Sequence, residues 1–318
     1  GYAGQFGYKY GLSATWIGIG NAVIGSLMAW VILGRRTRVM TKHLSSSTMP
    51  DFFGKRYDSK ALRIAAAAIA FIFLIPYTAS VYNGLSQLFG MAFNIKYSVC
   101  VIVMAVLTGV YVIVGGYMAT AINDFIQGII MIVGIIAVIV AVLNGQGGFT
   151  EAISKLAHVQ GDSDVPGVYA SFFGPDLPNL LGVVLLTSLG TWGLPQMVQK
   201  FYAIKDEKSI KTGTVISTIF AILVAGGSYF LGGFGRLFEV PMKDGSPIYD
   251  AIMPTMLSES LGDLLIGIVI VLVLSASMST LSSLVLTSSS TLTLDLIKGN
   301  IVKNMSEKKQ LLVMRIML

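Results

Sequence analysis

A carboxylate inside a long apolar run is the residue whose chemistry most needs an explanation, and Asp124 in GGYMATAINDFIQGIIMIVG is such a residue. An unpartnered charge at mid-bilayer costs about 2.5–3.5 kcal/mol even on the lenient insertion scale, so it persists at an interface or beside a partner. Gln127 follows one turn later on the same helical face. Two readings stay open. Asp124 is an interfacial carboxylate, since Gly115 and Gly116 mark a helix start close by, or it is a cation or proton site completed from another helix.

A candidate partner lies in SASMSTLSSLVLTSSSTLTLD, where Ala276, Ser279, Thr280, Ser283, Thr287 and Ser290 fall along one helical face. Sodium is a hard cation that exchanges its water shell for oxygens, and hydroxyls with free backbone carbonyls suit it. The same stripe also fits a small-residue packing face whose hydroxyls bond back to their own helix. A third signal is SLGTWGLPQMVQKF, with Gly190, Gly193 and Pro195 in an otherwise apolar run. Pro195 removes a backbone donor and clashes with the preceding turn. The outcome is a plain kink or a broken helix lining a cavity, where Trp192 would wall a solute. Pro76–Tyr77, followed by Ser80 and Tyr82, gives a second kinked aromatic element.

The elements that hold these residues are membrane spans. The chain has 318 residues, 54% of them apolar and only 12% charged, against about a quarter charged in soluble domains. The apolar residues fall in runs of about 20, the length of helix that crosses ~30 Å of hydrocarbon. Seven complete spans are predicted, at about 12–34, 62–89, 98–116, 118–145, 177–203, 210–235 and 262–294, with an eighth beginning near Leu311. The fold class is all-α integral membrane, one transmembrane domain over residues 1–318, embedded in a lipid bilayer.

The net charge of +6 does not point to nucleic acid, because the basic residues sit in short loops between spans. Segments 35–63, 200–211 and 295–315 hold 17 of the 22 Lys and Arg residues, and the positive-inside rule makes that side cytoplasmic. The intervening loops are acidic, with Glu151, Asp162, Asp164 and Asp176, then Glu239, Asp244, Asp250 and Glu259. Residues 147–160 and 247–260 fit short amphipathic helices on the outer face, with His158 exposed on the first. Cys100 is expected to be a small core residue. Phosphate loops, His/Cys metal spacing and Gly-x-Ser-x-Gly are absent from the sequence, which argues against an enzyme.

Five stretches, in order, resemble the sodium/solute symporter family, the sodium/proline branch above all: GRRTRVMTKHLSSSTMPDFFGKRYDSKALR, IPYTASVYNGLSQLFG, GGYMATAINDFIQ, GLPQMVQKFYAIKD and SASMSTLSSLVLTSSSTLTLDLIK. The resemblance implies an inverted-repeat fold of five plus five core helices, of which this chain holds the second to the eighth and the start of the ninth. It is expected to be a piece of a longer protein without the first core helix. The resemblance also implies Na+ as coupling ion, held between the first and eighth core helices by the Ala276 carbonyl and the Ser279 and Thr280 hydroxyls. A second sodium site matches Asp124 with Ser279, Ser282 and Ser283. For a small organic solute, an amino acid such as proline or a small carboxylate, Tyr77 and Pro195 match substrate positions. Thr187 and Thr191 stand where the proline branch has aromatic residues, with Trp192 one place along. The implied function is sodium-coupled symport by alternating access. A symporter-like sensor domain is the alternative, to be recognised by a kinase-like extension beyond Leu318. A passive channel fits less well, because the break at Pro195 and the lack of charged pore rings count against it.

Overall fold

The computed structural model describes residues 2–93, 95–161, 165–298, 301–302 and 305–317. Asp162, Asp164 and Lys303, placed in loops from the sequence, lie outside the described residues. The chain forms α1 (Tyr2–His43), α2 (Met49–Arg56), α3 (Lys60–Phe93), α4 (Tyr97–Gly145), α5 (Phe149–Ala157), α6 (Leu177–Gly193) and α7 (Pro195–Ala203). It continues through α8 (Glu207–Leu237), α9 (Tyr249–Ser260), α10 (Asp263–Ile297) and α11 (Glu307–Met317). Among the described residues five helices are long and apolar enough to cross a membrane, and the bent pair α6–α7 makes a sixth. Ser98–Val114 of α4 is a shorter apolar segment.

Side-chain chemistry sets several helix starts. Thr48 Oγ1 accepts the Asp51 N–H at 3.2 Å ahead of Pro50, opening α2. Asp176 accepts from Asn179 at 3.1 Å and Asp206 from Ser209 at 2.8 Å, opening α6 and α8. Each is an N-cap that satisfies an orphan amide of the first turn. A two-residue hairpin pairs β1 (Met242–Lys243) with β2 (Ser246–Pro247) around Asp244 and Gly245, both at positive φ.

Two boundaries differ from the sequence expectation. The first helix begins at Tyr2 rather than near residue 12. GYAGQFGYKYG is glycine-rich and a weak helix former alone, but its glycines let backbones touch. A Cβ at Gly7 would stand 2.0 Å from the Gly232 carbonyl carbon of α8, so tertiary packing overrides propensity. The predicted turn between spans at Gly115–Gly116 is instead helical backbone, and α4 runs over 49 residues. Glycine in a helix interior costs only about 1 kcal/mol, and Pro is absent from α4 to stop it.

α10 packs against α4 and α3, while α1 packs against α8 and α6. The core between them includes Ile135, Val142, Leu231, Met256, Leu257 and Val269. Apolar side chains such as Phe73, Leu186 and Leu264 point outward, as a lipid-facing surface requires. Short helices appear at both expected places, α5 and α9, of which α5 is strongly amphipathic and α9 is not; Cys100 is buried, and His158 is exposed.

The basic segments converge on one end of the bundle. Arg35 pairs with Glu207 at 2.7 Å, and Arg38 donates to the Tyr202 carbonyl at 2.9 Å. Arg63 reaches Asp51 and Asp295 there as well. At the other end Arg236 donates to the Tyr8 carbonyl at 2.6 Å and lies over the Tyr8 and Tyr169 rings.

Candidate functional site

The break at Pro195 is sharp. Leu194 takes an extended conformation (φ −68, ψ 121) between a 3₁₀ turn at Thr191–Gly193 and α7. The axes of α6 and α7 diverge by 49°. The proline lies in the first turn of α7, where its missing N–H costs nothing. It therefore starts a new helix rather than merely bending an old one.

The five candidate solute residues separate into two groups. Tyr77 and Pro195 line one cavity of about 420 Å³, with Phe53, Phe73, Gly193 and Leu194. Thr191 and Trp192 turn the other way, toward α1: Trp192 Nε1 donates to the Ile24 carbonyl at 2.8 Å and Thr191 Oγ1 to the Gly25 carbonyl at 3.2 Å. Thr187 donates to the Val183 carbonyl of its own helix at 2.9 Å. Trp192 and Thr191 tie α6 to α1, Thr187 bonds within α6, and Tyr77 with Pro195 faces open space.

The hydroxyl stripe of α10 is bonded largely to itself. Thr280 donates to the Ala276 carbonyl at 2.9 Å, Ser282 to Ser279 at 3.0 Å and Ser283 to Thr280 at 2.9 Å. Thr287 donates to the Ser283 carbonyl and to Gln199 Oε1 on α7, both at 2.7 Å. Such back-bonding is what the packing reading predicts. It also gathers hydroxyl and carbonyl oxygens at one level of the helix.

Beside the stripe lies a cavity of about 60 Å³ lined by Asp124, Gln196, Gln199, Lys200, Ser283 and other residues. Ser279 and Lys200 are the polar groups that face the Asp124 carboxylate. Asp124 Oδ1 and Gln196 Oε1 are buried without a hydrogen-bond partner among the described residues. Gln127, one turn along, is buried with its Oε1 also unpartnered. A buried acceptor left unpaired costs about 1–3 kcal/mol, and each such group in a native fold calls for a reason. A cluster of hard oxygens around one carboxylate suits a small monovalent cation or its waters. Asp124 is thus faced by side chains of two other helices, α7 and α10.

Lys200 is where the sequence reading needs correction. It falls in the basic segment 200–211, yet it lies on α7 and lines the Asp124 cavity. The signal was present: with Pro195 opening a helix, Gln196, Gln199 and Lys200 fall at i, i+3 and i+4, one face. A second acid was also missed, because the predicted last span stopped at 294. α10 runs to Ile297 through a π-helical turn, and Asp295 is fully buried. Its carboxylate accepts from Thr48 Oγ1 at 2.6 Å and from Arg63 Nε at 3.0 Å. Arg63 also donates to the Leu294 carbonyl at 2.8 Å and pairs with Asp51 at 3.3 Å.

The sodium:solute symporter family matches residues 1–318. A sodium/proline symporter of Haemophilus influenzae is 32% identical, over 98% of this chain and 62% of its own length. An osmoregulated proline transporter of Bacillus subtilis is 28% identical, over 97% of this chain and 62% of its own. A sodium/pantothenate symporter of Haemophilus influenzae is 28% identical, over 91% and 58%. The chain thus spans about three fifths of the length of these curated relatives. Among solved structures, the substrate-bound outward-open state of a Na+-coupled sialic acid symporter superposes with a TM-score of 0.74, covering 99% of this chain and 70% of that one at 16% identity. That likeness establishes the shared fold. The relatives are transporters, not enzymes, and their match is to an apolar helical bundle whose span is broken at Pro195. The chain belongs to the sodium:solute symporter family.

Proposed function

We propose that this chain is the transmembrane core of a sodium-coupled symporter that takes up a small organic solute by alternating access. The observation that carries the reading is the Asp124 cavity: an acid with an unpaired oxygen, faced by Ser279 and lined by Ser283, next to a broken helix. In this reading Na+ is cargo. Ala276, Ser279 and Thr280 form one wall of the main sodium position, with Asp124, Ser282 and Ser283 at a second. Solute sits against Tyr77 and Pro195, whose cavity is mostly apolar, consistent with an amino acid of proline's character or a small carboxylate carrying an apolar body. The end that gathers the basic segments faces the cytoplasm, by the positive-inside rule.

Sodium couples to solute because each binds one arrangement of the bundle better than the other, and that difference is all coupling requires. The break between α6 and α7 supplies a joint at which two rigid helices can change angle. The test is uptake by the full-length protein in liposomes with and without an inward sodium gradient, screened over proline, other amino acids and small carboxylates. Uptake that ignores sodium would overturn the reading. Thr280→Val is expected to raise the sodium concentration for half-maximal uptake by roughly tenfold or more, as loss of a ligating hydroxyl implies. An unchanged sodium requirement would return α10's stripe to packing.

A further inference from the structure

At the basic end, the last turns of α1 and the segment joining α7 to α8 enclose a groove of about 690 Å³. Its walls carry Arg38, Lys42 and His43 from α1, and Lys205, Asp206, Glu207 and Lys208 from the facing segment. Of the two acids only Glu207 has an ion-pair partner, and Asp206 caps a helix while facing Lys205. Asp206 Oδ1 accepts from the Ser209 amide and hydroxyl, each at 2.8 Å, and those bonds hold its carboxyl below the usual carboxylate range. Glu207 is paired with Arg35 at 2.7 Å. Arg38 donates to the Tyr202 carbonyl at 2.9 Å and the Lys205 carbonyl at 3.4 Å, which fixes the two walls to each other. Lys42, Lys205 and Lys208 are exposed and have no ion-pair partner among the described residues. Three ammonium groups therefore share one groove with the single carboxylate of Asp206, which interacts with Lys205, and with Arg38 beside them the groove keeps a net positive charge.

The depth of the groove selects its ligand. The apolar run of α1 ends at Gly34, and Arg38 follows four residues later, about 6 Å along the helix. That places the groove at the headgroup layer, where phosphates of anionic lipids are concentrated and basic pockets between helices hold them.

We propose that this groove is a binding site for the phosphate of an anionic phospholipid headgroup, with Lys42, Lys205 and Lys208 as its ligands and Arg38 as the strut that holds its walls. The site is separate from the Asp124 cavity and does not depend on what the protein transports.

The test is native mass spectrometry of the purified full chain released from detergent supplemented with cardiolipin or with phosphatidylcholine. Cardiolipin is expected to stay bound to the wild type and phosphatidylcholine to be lost. K42Q/K205Q/K208Q is expected to retain at least about tenfold less cardiolipin, since each basic residue at an anionic surface contributes several-fold. K308Q/K309Q, which removes charge from the same end outside the groove, is expected to retain it fully. Should the triple variant express poorly, Lys42→Gln alone is expected to show a partial loss, and retention like wild type there would count against the site. Equal loss in the triple and control variants would reduce the groove to diffuse charge and overturn the proposal. Binding of inorganic phosphate with no cardiolipin retained would overturn the lipid assignment.

Discussion

Two acids on or beside α10 live in opposite circumstances. Asp295 is fully buried, with Thr48 on one oxygen and Arg63 on the other, and Arg63 in turn holds Asp51. Asp124 is partly buried against Ser279 and Ser283 with Lys200 nearby, and one of its oxygens is bonded to nothing among the described residues. The first cluster is complete as it stands, and adding a ligand would break it. The second leaves one carboxylate oxygen unbonded among the described residues, which is where the proposed reading puts a small cation. One acid thus sits on α10 with its partners complete, and the other sits on α4 facing Ser279 of α10, 16 residues before Asp295.

That contrast can be broken by substitution. The largest effect is expected for Arg63→Ala, which strands the buried Asp295 and should cost about 3–5 kcal/mol in unfolding free energy. The R63A/D295A double variant should recover much of it, because removing both partners leaves no stranded charge. Thermal melts in detergent decide this, and an R63A melt like wild type would end the claim that the Asp295 cluster is structural. Asp124→Asn comes next. It should shift stability by less than about 1 kcal/mol, since Oδ1 has no partner to lose, while raising the sodium requirement of uptake about tenfold. A destabilised D124N with normal sodium dependence would make the two acids alike. The smallest effect is at Lys200, a tethered cation facing the same carboxylate. Lys200→Met should lower the sodium requirement several-fold by removing a competitor, whereas a raised requirement would make the lysine part of the site.

Much of this was legible in the chain. Run length announced most of the spans, though not the unbroken α4, and Pro195 with its flanking glycines announced the broken helix, because both signals are local. Asp124 stood out as a charge where charge is expensive. The partners of Asp295 were not legible: Arg63 lies 232 residues away, and no periodicity links positions that far apart. Lys200 was hidden differently, since counting it among loop charges ignored that a helix restarts at Pro195. The helical start at Tyr2 depended on Gly7 meeting Gly232, a contact only tertiary structure can supply. The separation of Trp192 from the Tyr77–Pro195 cavity is likewise a matter of rotation about an axis, which sequence spacing near a break does not fix.

The clasp around Arg63 also has a history in time. Asp51 and Lys55 are near neighbours in the chain, so their pairing with each other and with Arg63 is available as soon as the first third of the protein is made. Asp295 follows Arg63 by 232 residues, on the order of 10–50 s of synthesis at typical rates. α10 therefore docks onto a charged receptor assembled long before it. A ribosome stalled before Asp295 would leave Arg63 with only its local acid, and the first helices would stand without the fastener that joins them to α10.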